Sequence, residues 1–206
     1  MAGSTVSTSP LHHTAVKGLF TGQYLSAMIR IAVVGPESTG KTTLVEALAD
    51  HYGCVYTQEY ARVYLEQDGP GYAEEDLVSI ASGQLMVEAE AQKLAAGTGR
   101  PLIICDTDML TVRIWSEEKF GRARPLLEQL ARDVAYDHWL LCRPDIPWEP
   151  DPLRENPHDR DRLFAVYEDA LRRLERPYTI IEGEREQRLA AARVAIVPLL
   201  RKEKLG

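Results

Sequence analysis

Cysteine, positive charge and long apolar segments are all scarce in this chain of 206 residues. Its three cysteines, Cys54, Cys105 and Cys142, are odd in number and widely spaced, which is typical of reduced thiols rather than of a disulfide framework. The net charge of -7 argues against a broad nucleic-acid-binding surface, because such surfaces need an excess of lysine and arginine. No apolar run approaches the roughly 20 residues that cross a bilayer. We therefore expect a cytoplasmic protein with no membrane or nucleic-acid partner. The composition does not indicate how many subunits the protein forms.

The first 27 residues differ in composition from the rest of the chain. They are rich in serine, threonine and glycine, and no acidic residue precedes Glu37. Lys17 is the only basic residue before Arg30, and no sustained apolar core is present, so this stretch fits neither a transit peptide nor a secretory signal well. We expect residues 1–27 to be a flexible tail, or the result of a start codon assigned too early, and residues 28–206 to form one domain.

Short apolar segments alternate with longer segments of helical spacing. The five strand candidates cover residues 29–35, 54–58, 102–106, 137–142 and 178–183. They are apolar without a two-residue alternation, as strands of a parallel sheet covered on both faces are. This order predicts an α/β fold of the P-loop NTPase type, with a five-stranded, mainly parallel sheet and helices on both faces.

Helix ends are marked by glycine and proline. A first helix through Leu44 is expected to end at Gly53, and a second, over residues 72–96, is expected to close at the following glycine. A third has a cap and a first-turn proline at residues 156–157 and stops at Pro177. The last helix, from Glu184, is expected to end or bend near Pro198.

Residues 35–42, GPESTGKT, fit the pattern G-x-x-x-x-G-K-[ST] between an apolar strand and a helix. The glycines let the loop curl so that its backbone N–H groups and the helix N-terminus form a cradle for phosphate oxygens. Lys41 would reach the outer phosphates, and the Thr42 hydroxyl would bind Mg²⁺. The alternative is an ordinary glycine turn with a surface lysine. The predicted ATP-binding residues are Gly35, Pro36, Glu37, Ser38, Thr39, Gly40, Lys41, Thr42 and Thr43.

Two further stretches supply carboxylates at strand ends. Asp106 and Asp108 follow the apolar run LIIC, and Asp106 is the predicted second Mg²⁺ residue. Capping of the next helix is the alternative for Asp106, and for Asp108 capping and catalysis are equally open. Glu59 follows the second strand and is the candidate base for a substrate hydroxyl; a solvated glutamate at a helix start is its alternative. Tyr60 and Arg62 would line the substrate pocket.

A proline-rich segment over residues 143–162 is the candidate lid. It carries four arginines, which on closure could stabilise charge on a transferring phosphoryl group; they are Arg143, Arg154, Arg160 and Arg162. Arg154 is the predicted catalytic one. Trp148 in the same segment would either stack on the substrate or anchor the loop. The predicted catalytic residues are therefore Lys41, Glu59, Asp106, Asp108 and Arg154.

Five stretches together resemble the ribosylnicotinamide kinase domain of the NadR type: GPESTGKTTL, QEYAR, ICDTDMLT, YDHWLLCRPDIPWEPDPLRENP and the terminal IIEG. The most specific feature is the DTD element followed about forty residues later by PW-x-x-D-x-LR. The resemblance covers the chain from Met28 to its end. It implies a P-loop kinase that uses ATP and Mg²⁺ to phosphorylate the 5′-hydroxyl of nicotinamide riboside, giving nicotinamide mononucleotide.

Two departures from that family define the alternatives. Familiar NadR proteins carry a DNA-binding helix-turn-helix and an adenylyltransferase domain ahead of the kinase, so we expect neither repression nor adenylylation here. The family also has an aromatic residue just before the E-Y pair that helps sandwich the nicotinamide ring, whereas this chain has Gln58. Another nucleoside or a small alcohol is therefore an alternative acceptor, and an ATP-binding regulatory module is the alternative outside enzymes.

Overall fold

The computed structural model describes residues 28–68, 71–154 and 158–203. In this part of the chain, five strands form one sheet in the order β2-β3-β1-β4-β5. The strands are β1 (Ile29–Val34), β2 (Val55–Thr57), β3 (Leu102–Asp106), β4 (His138–Cys142) and β5 (Tyr178–Ile181). Every pairing is parallel, which confirms the predicted fold class. The predicted tail of residues 1–27 and the predicted cap at residues 156–157 lie outside the described residues.

Seven helices accompany the strands in the described residues. They are α1 (Lys41–Tyr52), α2 (Tyr60–Asp68), α3 (Glu74–Thr98), α4 (Met109–Phe120), α5 (Pro125–Asp133), α6 (Arg160–Arg173) and α7 (Arg185–Glu203). Among these, no helix is both long and apolar enough to span a membrane.

The helix ends agree with the sequence only in part. The first helix stops at Gly53, whose φ of 56° gives the left-handed cap that was predicted. Helix α3 runs past Gly97 and ends before Gly99, which has a φ of 66°. The last helix does not end at Pro198 but continues to Glu203. Burial of Ala192 and Ile196 against the sheet explains this continuation, since packing can offset the backbone hydrogen bond that proline removes.

Two apolar layers cover the two faces of the sheet. One layer packs strand residues such as Ile103 and Leu141 against helices α3 to α6. The other packs Ile31, Val33 and Ile104 against α1 and α7. Consecutive strand residues point to opposite faces of the sheet, and both faces are covered by helices. Successive residues of a strand are therefore all buried, which explains the unbroken apolar runs in the sequence.

The carboxyl edge of the sheet collects the segments that were singled out in the sequence. The P-loop follows β1, Glu59 follows β2, Asp106 ends β3, and residues 143–154 follow β4. Strand order reverses around β1, with β3 on one side and β4 on the other. In open α/β sheets ligands bind in the crevice at such a point.

Candidate active site

The P-loop backbone has the conformation that a phosphate cradle requires. Gly35 has a φ of 137°, and a Cβ atom there would lie 2.7 Å from the carbonyl oxygen of Cys142. Ser38 and Gly40 also have positive φ angles, 53° and 74°. Positive φ angles favour glycine, as at Gly35 and Gly40, and cause strain in a residue with a side chain, as at Ser38. The loop therefore needs its glycines to keep this shape.

Lysine and the helix end complete the cradle. The Lys41 ammonium group donates hydrogen bonds to the carbonyls of Gly35 and Pro36, at 3.1 and 2.9 Å. Helix α1 begins at Gly40 with no side-chain cap on its first N–H groups. Those N–H groups and the helix dipole favour an anion at this position.

A buried arginine that no sequence motif marked supports the loop from behind. Arg188 of α7 is only 5% exposed and donates to the carbonyl oxygens of Thr39 at 3.0 Å and Gly183 at 2.7 Å. It also pairs with Asp145 at the start of the proline-rich segment. Arg188 belongs to no motif and is one of several charged residues in α7, so the sequence did not mark it. Its contacts arise only when α7 packs beside the P-loop.

Asp106 and Thr42 form the candidate metal site. The Thr42 hydroxyl donates to Asp106 Oδ2 at 2.7 Å, and Asp106 is 1% exposed. The other oxygen, Oδ1, is buried and has no hydrogen-bond partner within the described residues. Burial raises the pKa of Asp106, while Lys41 and the Thr42 hydrogen bond oppose that rise. An orphaned carboxylate oxygen next to a hydroxyl is a donor set that fits Mg²⁺, which takes few protein ligands and prefers oxygen.

Asp108 lies in the same turn but contacts other residues. Thr107 has a φ of 67°, and its N–H bonds to the Val33 carbonyl at 3.0 Å. Beyond this turn, Asp108 Oδ1 accepts from the Thr111 N–H and hydroxyl, both at 2.9 Å, and Oδ2 accepts from the Trp139 ring N–H at 2.8 Å. Asp108 is thus the cap of α4, one of its two alternatives, and its catalytic role stays a prediction.

Glu59 faces the P-loop across the cleft. It lies between β2 and the start of α2, is partly buried, and lines the same cleft as Lys41 and Thr42. Burial raises its pKa to about 7; the charge of Asp106 adds to the rise, while Lys41 and Arg62 oppose it. A carboxyl group with such a pKa can accept and release a proton near neutral pH, as a general base must.

The cleft beside the P-loop has two connected chambers. The first, of about 210 Å³, is bounded by the P-loop, Glu59, Arg62 and Arg154. The second, of about 260 Å³, is bounded by Tyr72 and by residues of α4 and α6. The residues common to both are Glu37, Leu65, Trp115 and Leu153. No motif marked Trp115, Leu65 or Tyr72, because they come from separate elements that meet only in the folded chain.

Of the four arginines of the proline-rich segment, Arg154 is the one that lines the first chamber. Its guanidinium donates to the Ser38 hydroxyl at 3.4 Å and to the Glu149 backbone carbonyl. Arg160 lines neither chamber and donates to the backbone carbonyls of Ser38 and Ile146, at 2.9 and 3.1 Å. Arg143 pairs with Glu182, and Arg162 pairs with Glu118 and Asp159. These contacts make Arg154 the arginine best placed to meet a phosphoryl group.

Three further predicted residues have contacts within the protein. The Trp148 ring lies 5.9 Å from the Arg154 guanidinium and 5.7 Å from that of Arg160, as a loop anchor would. The Tyr60 ring packs against Gly83 of α3 and lines neither chamber. Arg62 bonds to Asp151 at 2.8 Å and so joins α2 to the proline-rich segment. Substrate contacts for all three stay predictions.

Comparison with known proteins agrees with this geometry. A family described as AAA domain matches residues 30–188. The trifunctional NAD biosynthesis/regulator protein NadR of Escherichia coli is 30% identical over 136 residues, and that of Salmonella typhimurium is 27% identical over 138 residues. Each match covers 64% of this chain, and the chain spans about one third of the length of these relatives, 32% in both.

Solved structures share the fold at low sequence identity. NadR in complex with NR has a TM-score of 0.62 at 23% identity, over 82% of this chain and 51% of that chain. NadR in complex with NAD and AMP-PNP has a TM-score of 0.60 at 22% identity, over 82% and 49%. Thymidylate kinase from Ehrlichia chaffeensis has a TM-score of 0.59 at 17% identity, over 82% and 99%. The resemblance to NadR predicted from the motifs is confirmed, and the chain belongs to the AAA domain family.

Proposed function

We propose that this protein is an ATP-dependent kinase that phosphorylates the 5′-hydroxyl of nicotinamide riboside. The observation that carries the proposal is the position of Glu59, a carboxyl group with a raised pKa, in the same cleft as Lys41 and Thr42 of the P-loop. A phosphate cradle alone binds nucleotides. A base facing that cradle is what transfer to a hydroxyl acceptor requires in addition.

Residues 35–43 would hold the triphosphate through backbone N–H groups and the N-terminus of α1. Lys41 would leave the carbonyls of Gly35 and Pro36 and neutralise the outer phosphates. Arg154 would approach from residues 143–162, which we propose act as the lid of a kinase domain over residues 28–206. Charge develops on the transferring phosphoryl oxygens, so cations fixed around it stabilise the transition state.

Thr42 and Asp106 would hold Mg²⁺ through the hydroxyl and the unpartnered carboxylate oxygen. When bound, the ion would neutralise part of the negative charge of the phosphates. Asp106 itself has to be ionised for this role, and nearby Lys41 favours the ionised form against the effect of burial.

Glu59 would accept the proton of the acceptor hydroxyl as the oxygen forms its bond to phosphorus. The bond between the γ-phosphorus and the bridging oxygen breaks, and the electron pair leaves with ADP. Arg62 lines the same chamber and donates a hydrogen bond to Asp151 of the lid segment. Closure of the lid would therefore also hold α2, and with it the neighbouring Glu59, in place. Asp108 would contribute by capping α4 beside this chamber.

The second chamber would take the ring of the acceptor. Its lining includes Pro36 and Glu37 of the P-loop, together with Leu65, Tyr72, Trp115 and Tyr167. Planar rings pack well against aromatic side chains, and a cationic ring such as a pyridinium also gains from the face of an indole. NadR binds NR in its crystal structure, which supports the same acceptor here.

Another nucleoside or a small alcohol is the second candidate acceptor. Gln58 is exposed and replaces the aromatic residue expected from the family at that position. The aromatic residues of the second chamber, Tyr72, Trp115 and Tyr167, therefore have to provide the ring contact, and they come from other elements than the residue expected from the family. The thymidylate kinase fold shows only that this architecture accommodates other acceptors.

The test is a panel of nucleosides with ATP and Mg²⁺, with phosphorylated products identified by mass spectrometry. We expect nicotinamide riboside to give nicotinamide mononucleotide and Lys41→Ala to give none. Product from a different nucleoside only would select the second candidate. ATP hydrolysis that does not depend on any acceptor would contradict the kinase proposal.

A further inference from the structure

Gln84 of α3 lies beneath the two carboxylates of the cleft without reaching it. Its side chain is 1% exposed, and both the oxygen and the nitrogen of its amide form hydrogen bonds. The amide oxygen accepts from the Tyr60 backbone N–H at 2.9 Å. The amide nitrogen donates to the Asp106 backbone carbonyl at 3.4 Å and to Glu88 at 3.2 Å. One amide thus joins the segment carrying Glu59 to the segment carrying Asp106.

The contact with Tyr60 satisfies a helix end. Tyr60 is the first residue of α2, so its N–H has no partner inside the helix. The neighbouring Gly83 adds a second contact to the same segment, because a Cβ atom there would lie 2.0 Å from the Tyr60 ring. The Tyr64 hydroxyl also donates to Asp76 of α3 at 2.8 Å, farther along the helix. The Gln84 bond and the Gly83 approach are thus the contacts between α2 and α3 at the residue next to Glu59.

A buried charged network fixes the orientation of the Gln84 amide. Glu88 is 2% exposed, pairs with Arg30 of β1 and accepts from the Tyr136 hydroxyl at 2.8 Å. A carboxylate here can only accept, so it requires the NH₂ side of the amide. The amide oxygen then points to Tyr60. Rotation of the amide would leave two buried groups unpaired, which is costly.

We propose that Gln84 is a positioning residue for the phosphoryl transfer: its amide holds Glu59 and Asp106 at their working separation. This inference rests on the proposed function. Glu59 lines the cleft, Asp106 lies buried nearby, and their like charges repel each other. The pairing of β2 with β3 joins the two segments only as far as Thr57 and Cys105, so the Gln84 amide is the link that continues beyond the strand ends. Positional errors of about 1 Å in a catalytic group can cost about 10²-fold in rate.

The test compares three variants with the wild type. Gln84→Met keeps the length of the side chain and removes every hydrogen bond. Gln84→Glu keeps an acceptor for the Tyr60 N–H but loses the donors. Leu85→Ala, the control, changes the next residue of α3, which is buried in the apolar core and does not line either chamber.

We expect kcat of Gln84→Met to fall about 10²-fold, with the KM for ATP within about two-fold of wild type. Gln84→Glu should lose at least as much activity, because its carboxyl group faces the buried Glu88 carboxylate. Leu85→Ala should lower the melting temperature and leave kcat unchanged. A kcat for Gln84→Met no lower than that of Leu85→Ala, or a KM for ATP that rises as much as kcat falls, would overturn the inference.

Hydrogen exchange separates this inference from the proposed function, because it needs no acceptor. Amides of residues 60–64 should exchange faster in Gln84→Met and at the wild-type rate in Leu85→Ala. Unchanged exchange in Gln84→Met would overturn the positioning role even in an active kinase. If Gln84→Met does not fold, Gln84→Asn provides the same comparison, because it keeps an amide but is one methylene too short to make the bonds on both sides. A wild-type protein that phosphorylates no acceptor would overturn the proposed function and the catalytic part of this inference.

Discussion

The two chambers of the cleft are built in different ways. In the first chamber the phosphate-binding wall is one continuous segment, residues 35–43, whose shape depends on the backbone angles of Gly35, Ser38 and Gly40. The acceptor side combines side chains from α2, α4, α6 and the proline-rich segment. The phosphate grip is therefore a local property, while the acceptor site exists only after the helices have packed. Changes on the phosphate side should affect every acceptor equally, and changes on the acceptor side should depend on the acceptor.

The largest effect is expected at Lys41. Lys41→Ala should lower kcat at least about 10³-fold with every acceptor, because a cation at the transferring group is lost. The melting temperature should change little. Lys93→Ala, which removes an exposed lysine of α3, is the matched control and should keep full activity. A selective loss with one acceptor only would contradict the separation of the two sides.

Glu59→Gln should lower kcat by about 10²–10⁴-fold and change ATP affinity by less than about two-fold. The amide keeps the shape of the side chain but cannot take the proton. Steady-state kinetics and ATP titration measure the two quantities, with Glu90→Gln at an exposed site as the control. Equal losses in kcat and ATP affinity would make Glu59 a binding residue.

The raised pKa of Glu59 also predicts a pH dependence. The free enzyme should lose kcat/KM as pH falls through the raised pKa, because protonated Glu59 cannot act as a base. Stability has the opposite sign. The folded state holds this proton more tightly than the unfolded chain, so the free energy of unfolding should fall as pH rises from the unfolded pKa, about 4.3, through the folded one.

Urea unfolding of wild type and Glu59→Gln at several pH values measures this second effect. The variant should be more stable than wild type at pH 8 and lose that advantage near pH 4, because the neutral amide has no proton to release. A stability difference between the two proteins that stays the same from pH 4 to pH 8 would show that burial does not raise the pKa of Glu59.

On the acceptor side, Trp115→Leu should raise the KM for a ring-bearing acceptor by about ten-fold and leave the KM for ATP unchanged. Trp115→Phe should recover most of the loss. Initial rates against both substrates give the two constants. The same rise in the KM for ATP would show that Trp115 serves the phosphate side as well.

The smallest effect is expected for the ion pair between Arg62 and Asp151. The Arg62 side chain is 43% exposed, so Asp151→Asn should cost no more than about 1 kcal/mol. The change in kcat should be less than about five-fold at low salt and smaller at high salt. A larger loss would mean that this pair controls closure of the lid segment.

The sequence identified more of the residues around the P-loop than of those that line the second chamber. The glycine spacing, Lys41, Thr42 and the strand-end Asp106 are local signals, and the structure brings them together at one edge of the sheet. Trp115, Gln84 and Arg188 were missed, because each contributes through a partner far away in the chain. The roles of Asp108 and Trp148 could be distinguished only by their contacts in the structure. An aspartate can cap a helix or bind a ligand, and a tryptophan can anchor a loop or stack on a ligand.

Calorimetric titration of ATP with Mg²⁺ into the purified, folded protein, beside Lys41→Ala, tests the central claim most directly. The account predicts saturable heat with one site per chain for the wild type and much weaker binding for the variant. No heat from the wild type, or identical binding by both proteins, would contradict the claim that residues 35–43 hold a nucleoside triphosphate.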